Sequence, residues 1–264
     1  MLKNLTYHNP VLLQEAVTFL AVRQGSHYVD CTLGGGGHTA EIIRQGGLVL
    51  GLDQDPEALQ ACPDLEGLTK VQSNFIHLKE VVKANSWQPV LGILIDLGIS
   101  EHQITTPSRG FSFQSSGPLD MRMDPALPNT AGTLVNQLPA EQLTSLFQDY
   151  GEIPAAKPLA AKIVVARPLT TTDQLAQITG KWSRQAFQAL RIAVNDELGA
   201  LTEVLAQAQE ILAPQGRLVI ISFHSLEDRI VKQTLKNMQT LTAKPIEGEK
   251  GSKLRAYAKN LNHH

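Results

Sequence analysis

Three acids, Asp30, Asp53 and Asp96, each close a short apolar run, and the first is followed by the loop Cys31-Thr-Leu-Gly-Gly-Gly-Gly-His38. Glycines in such a loop let backbone come close to a ligand, and a helix that starts there offers free N–H groups. Dinucleotide sites use a similar turn. Here, however, the spacing is not G-x-G-x-x-G, and an acid ends the strand ahead of the loop. Asp53 is suited to accept hydrogen bonds from ribose hydroxyls. Asp96 could reach either the adenine end or the amino acid end of the same ligand. Three carboxylates disfavour a pyrophosphate and favour S-adenosylmethionine. The competing account is that all three merely cap strand ends, where aspartate favours turns.

The elements that carry these acids alternate. A helix is expected over Val11–Val22, then a strand over His27–Asp30, the glycine loop, and a helix over His38–Arg44. A second strand, Leu48–Asp53, precedes a helix opened by Asp55-Pro56, a cap with proline in the first turn. A weaker third strand is expected at Val71–Phe75. A fourth, Val90–Asp96, is almost wholly apolar, as a strand covered on both faces should be. This alternation predicts an α/β fold with a parallel sheet and its ligand at the carboxyl edge.

The alternation stops at a stretch rich in Pro, Gly and Ser, residues 105–129. Helices follow at Ala140–Tyr150, Ala155–Ala166 and Thr172–Gly180, then a long helical region over Ser183–Leu212, bent near Gly199. The strand pattern returns at Gly216–Phe223, before a helix from Ser225 to about Met238. Residues 105–200 therefore read as a helical insertion, and residues 1–104 and 201–264 as one discontinuous sheet domain.

Composition narrows the function. Of 264 residues 42% are hydrophobic and 18% charged, an ordinary globular balance. No apolar run approaches the roughly 18–20 residues of a membrane span, and the first residues hold no secretory apolar region, so a cytoplasmic protein is expected. The two cysteines, Cys31 and Cys62, form no CxxC pair, and His27, His77 and His102 lack metal spacing, so no metal is expected. Net charge is −2, unevenly spread: residues 229–264 carry 8 basic and 2 acidic side chains. A basic end on an acidic chain points to a phosphate-rich partner.

Several longer blocks now come together: His8-Asn-Pro-Val-Leu-Leu13, Gly34–His38, Asp96-Leu-Gly-Ile-Ser100, Arg109-Gly-Phe-Ser-Phe113, Gly117–Asp124, Phe187–Asn195 and Ser222-Phe-His-Ser-Leu-Glu-Asp-Arg229. In this order they resemble the bacterial ribosomal RNA small subunit methyltransferase H family (the MraW type). The resemblance implies a class I S-adenosylmethionine-dependent methyltransferase sheet with an inserted all-helical domain. It also implies N4-methylation of one cytidine in the decoding region of 16S rRNA, on the small ribosomal subunit. Carried over by position, cofactor contacts fall on Gly36, Gly37, His38, Asp53, Phe75, Asp96 and Gln103. Departures lie in Ile153–Pro158, Lys181–Arg184 and the shortened basic block Lys250–Arg255, all outside the cofactor blocks.

Under that resemblance further residues take candidate roles. The exocyclic nitrogen of cytosine is conjugated and barely nucleophilic, so an acceptor for its N–H helps to aim its lone pair at the methyl group. Asp96, Ser100 and nearby carbonyls are the candidates. A flipped cytosine also needs an aromatic face and hydrogen bonds to its Watson–Crick edge, for which Phe223 and His224 are available. Arg109, Arg122 and Arg191 are candidates for phosphate contacts, and His8 for folding back over the site. Ser225 and Asp228 read as a helix capping box.

Overall fold

Period-two alternation in the apolar strands decides the first layer of architecture. The computed structural model describes residues 10–260, so His8 lies outside the described residues. By proximity of its backbone the chain divides into two units, Met1–Gly98 with Leu198–His264, and Ile99–Glu197. In chain order the elements are α1 (Leu13–Leu20), β1 (His27–Asp30), α2 (Gly37–Arg44), β2 (Leu48–Asp53), α3 (Pro56–Ala61), β3 (Leu68–Gln72), α4 (Leu78–Ala84) and β4 (Val90–Asp96). The middle of the chain holds α5 (Glu101–Thr105), α6 (Ala131–Gln137), α7 (Ala140–Asp149), α8 (Ala156–Val165), α9 (Thr172–Thr179) and α10 (Ser183–Asn195). Then follow α11 (Glu197–Ile211), β5 (Leu212–Ser222), α12 (Ser225–Thr234), β6 (Gln239–Thr240), β7 (Ile246–Glu247) and β8 (Lys253–Ala258).

In the first unit the strands run in the order β3-β2-β1-β4-β5-β8-β6, with β7 also on β8. Strands β1 to β5 are parallel and β8 is antiparallel to β5. Alternate residues face opposite sides. Val29, Leu50, Leu52, Ile93, Ile95, Leu218 and Ile220 pack with Leu78 and Val82 of α4 and Val204 and Leu205 of α11. Their neighbours Tyr28, Val49, Leu94, Val219 and Ile221 pack with Val17 and Leu20 of α1 and Ile42 of α2. Both faces are thus covered, as a parallel sheet requires. This is a doubly covered, mostly parallel α/β sheet whose chain is interrupted by a helical insertion, as the sequence predicts.

Several elements differ from the sequence reading. The third strand is Leu68–Gln72, not Val71–Phe75. Asn74 ends it, its side chain accepting from the Ile76 N–H and setting Phe75 into a single helical turn. The long helical region breaks at Asp196, in the left-handed conformation at φ 47°, and Gly199 continues α11 undisturbed. Aspartate tolerates that conformation better than most residues. The final helix stops at Thr234. Most of the basic end is not a free tail: Lys253–Ala258 forms β8, paired with β5 from Arg217↔Ala258 to Ser222↔Lys253.

The helical unit has its own core, built on Leu143, Phe147, Leu159, Ile163, Leu175, Phe187 and Leu190. One buried polar clamp ties its long loop to α10. Asn195 accepts from the Met123 N–H and donates to the Met121 carbonyl, each at 2.8 Å. From the other side Arg109 donates to the carbonyls of Arg122 and Met123 at 3.0 Å. Met121 is fully buried and has φ 63°; its N–H bonds the Arg109 carbonyl at 3.0 Å, and its carbonyl relies on Asn195 in place of water. Asn195→Ala should cost about 2–3 kcal/mol, because it strands buried backbone groups. Urea unfolding measures this, and a loss below about 0.5 kcal/mol would refute the clamp.

Candidate active site

At the carboxyl edge of the sheet, β1 and β4 are neighbours whose onward connections run in opposite directions, β1 toward β2 and β4 toward β5. Open α/β sheets bind ligands at such a point. Asp30 and Asp96 end these two strands, and Asp53 ends the next. Asp30 is 1% exposed; its carboxylate accepts from the Thr39 hydroxyl at 2.7 Å and the Thr32 N–H at 3.2 Å. Asp53 accepts from the N–H groups of Gly34 (2.8 Å) and Asp55 (2.9 Å). The glycine loop is therefore hung on the end of β2. Thr32 returns the favour to β4, its hydroxyl oxygen accepting from the Asp96 N–H at 2.7 Å.

Two glycines in the loop are sterically required. Gly36 has φ +79°, and a Cβ there would lie 2.6 Å from the sulfur of Cys62; at Gly37 it would lie 2.8 Å from Pro10. His38, on the first turn of α2, is buried, and its Nε2 lies 3.1 Å from the Val11 carbonyl. A carbonyl only accepts, so Nε2 carries the proton and Nδ1 presents a lone pair, 3.8 Å from Asp96 Oδ2. Burial pulls the His38 imidazole down to about 4, so it is neutral at pH 7.

Burial acts the other way on the acids. It pushes Asp30 and Asp53 up to about 6 and Asp96 well above the usual carboxylate range. The neighbouring charges add to this: Asp30 raises both others, and Glu227 raises Asp96. Oδ1 of Asp96 is buried and has no hydrogen-bond partner.

The other sequence candidates fall into separate places. Phe75 packs at the edge of the core beside α4. Ser100 and Gln103, in the helical unit, form a capping box at α5: Ser100 Oγ accepts from the Gln103 N–H at 3.1 Å and Gln103 Oε1 from the Ser100 N–H at 3.0 Å. Phe223 follows β5, its ring 3.3 Å from where a Cβ on Gly98 would stand, so glycine at φ +99° lets β4's exit pass the ring. His224 is the N-cap of α12, and the capping box is His224 with Glu227, not Ser225 with Asp228. Asp228 instead pairs with Arg255 and Lys232. The arginines read as phosphate ligands are engaged inside the helical unit. Arg109 holds loop carbonyls, Arg122 pairs with Asp120, and Arg191 forms a two-pronged pair with Glu197 at 2.7 and 2.9 Å.

Sequence reasoning did not find Thr32, Thr39 or Glu227. Glu227 was legible only by taking His224 as the cap, which places it three residues on, where a capping box has its acid. Among the described residues no group of three His, Cys, Asp or Glu converges as a metal site, and no helix is long and apolar enough to cross a membrane.

Comparison with known proteins decides the family. The model of the MraW methylase family matches residues 5–253. The chain belongs to the MraW methylase family. It is similar to proteins named ribosomal RNA small subunit methyltransferase H from Symbiobacterium thermophilum (47% identity over 86% of this chain and 79% of the relative) and Thermomicrobium roseum (47%, over 86% and 76%). A third, from Carboxydothermus hydrogenoformans, is 45% identical over 85% of this chain and 79% of its own. Among solved structures, an rRNA methylase from Streptococcus thermophilus aligns over 99% of both chains at 12% identity, with a TM-score of 0.49.

As a member of the MraW methylase family the chain is a methyltransferase, with S-adenosyl-L-methionine as its cofactor. The site fits that group on its own terms. Three carboxylates at neighbouring strand ends, Asp30 buried and Asp53 and Asp96 half-buried, suit a ligand bearing a sulfonium and an ammonium. When bound, the cofactor supplies an electrophilic methyl group.

The acids set a pH dependence. Above about pH 6 Asp30 and Asp53 ionise and attract a cation; below it they are neutral. S-adenosylmethionine affinity at pH 5 should be at least about tenfold weaker than at pH 8. Equilibrium dialysis at both values checks this, and a flat profile would contradict it.

Proposed function

We propose that this chain transfers the methyl group to N4 of one cytidine in the decoding region of 16S rRNA, acting on the small ribosomal subunit in the cytoplasm. The single observation that carries the reading is Asp96 Oδ1, buried without a partner at the end of β4. An amino group is a donor, and a buried acceptor lacking a donor is what such a substrate satisfies. Accepting one amino hydrogen draws the conjugated nitrogen toward pyramidal geometry and turns its lone pair outward for attack. Ser100 is the weaker candidate, since its oxygen already accepts from the Gln103 N–H.

Supporting features surround this atom. Phe223, held against Gly98, offers an aromatic face to a flipped base, and His224 offers a ring nitrogen for its Watson–Crick edge. The relatives' shared name, ribosomal RNA small subunit methyltransferase H, supports rRNA as the substrate class. We assign the helical unit a role in handling the RNA substrate. Arg109 and Arg191 serve there by shaping the unit, given their internal partners.

Labelled methyl transfer to small subunits that lack the N4 methyl group tests the reading. N4-methylcytidine at one position is expected, with Asp96→Asn lowering the rate at least about a hundredfold. Methylation of another base, or none with the cofactor bound, would reject it.

A further inference from the structure

Glu227 is 2% exposed, a degree of burial that a glutamate reaches only with partners. It sits in the first turn of α12, and its Oε2 accepts from the N–H groups of Phe223 at 2.7 Å and His224 at 3.2 Å. Any acceptor of that length would make those bonds, glutamine included, so capping alone does not call for a buried charge. Its other oxygen lies 3.2 Å from His224 Nε2, a buried atom without a hydrogen-bond partner. On the neighbouring strand the second such atom is Asp96 Oδ1. The two strands are in register, Asp96 opposite Ile221, and the Leu97 N–H bonds the Ile221 carbonyl at 2.9 Å. Glu227 thus holds, through two backbone bonds, the turn that leaves β5 next to the end of β4, where Asp96 stands, and its charge bears on Asp96 from there.

We propose that Glu227 is a positioning residue for methyl transfer, fixing the Phe223–His224 turn and keeping Asp96 Oδ1 ready to take the proton that the methylated amino group releases. The proposal rests on the amino-nitrogen reading given above. In the transfer the nitrogen lone pair forms the N–C bond as the donor's C–S bond breaks, and the sulfur keeps the electron pair. The nitrogen then carries a positive charge and a surplus proton, which passes to the Asp96 carboxylate and from there to water. The ionisable groups facing Asp96 are Asp30 at the end of β1, His38 on α2 and Glu227 on α12. Of these Glu227 alone stands outside the cofactor blocks, so its charge can be removed without disturbing them. A second negative charge beside Asp96 makes it a stronger proton acceptor.

The test reads protonation as well as rate. Aspartate carboxyl groups carrying carbon-13 are titrated by NMR in wild type and Glu227→Gln, with S-adenosylhomocysteine bound and no RNA present; Asp96→Asn assigns the signal. The glutamine retains both backbone hydrogen bonds, so the variant should melt close to wild type. The Asp96 midpoint should fall by about one pH unit. On the RNA substrate kcat should fall about tenfold, with the donor KM changed by less than about twofold. An unmoved midpoint overturns the proposal, and so does a shifted midpoint with unchanged kcat. Should Glu227→Gln not fold, the reciprocal effect decides: with carbon-13 placed on glutamate carboxyl groups instead, Asp96→Asn must lower the Glu227 midpoint by a similar amount, because the coupling is mutual. An unmoved Glu227 midpoint is equally fatal. The titrations contain no RNA, so failure of the cytidine reading leaves them unchanged and is recognised separately, by the nucleoside product.

Discussion

Carboxylates held away from water at the ends of neighbouring strands govern the rest of this molecule. Each costs desolvation energy that the fold must offset, since an ionised group in low dielectric is expensive unless bonded. Asp30 and Asp53 recover part of that cost through Thr39, Thr32, Gly34 and Asp55. Those bonds in turn shape the glycine loop. Asp96 recovers less, since one of its oxygens has no partner at all. The two apolar faces of the sheet, packed by helices on both sides, supply the stability that lets such a site persist.

The helical unit solves a different problem with the same means. Its long loop buries Phe111, Leu119, Met121 and Met123 in the unit's core, and its backbone is held by side chains: Asn195, Arg109 and Thr172, whose hydroxyl donates to the Ser115 carbonyl at 2.6 Å. Polar residues that look like a surface for ligand are here the internal scaffold of a loop. Their charge and hydrogen-bonding capacity are spent where water cannot reach.

How much of this was legible in the sequence follows from what each signal encodes. Strands β1, β2 and β4 stood out because each is a nearly unbroken apolar run ending in aspartate. Strand β3 did not, since Thr69, Lys70 and Gln72 dilute its pattern at a partly covered position. In β8 the buried residues Leu254, Ala256 and Tyr257 are interleaved with Lys253 and Arg255, and the charge concealed the strand. Within the site, residue type and strand position brought the three acids into view. The partners did not follow, because hydrogen bonds such as Gly34 to Asp53 join residues 19 apart, a distance no local pattern spans. Glu227 was obscured because Ser225 is the more usual cap than His224. Arg109, Arg122 and Arg191 announce a charge, and a charge in a sequence does not say whether its partner is a phosphate or a carbonyl two turns away.

Strand β8 also bears on how the chain is made. Residues 212–222 emerge from synthesis with one edge free, and that edge is closed only by residues 253–258. In the interval the nascent chain displays a row of unsatisfied amide groups beside Leu218, Val219, Ile220 and Ile221, the most apolar stretch of the sheet. An open edge of this kind pairs readily with any strand that reaches it, including its counterpart on another growing chain. Residues 253–258 thus act as a seal, and the lysines placed around them add a repulsive charge that discourages self-association while the seal is still being formed.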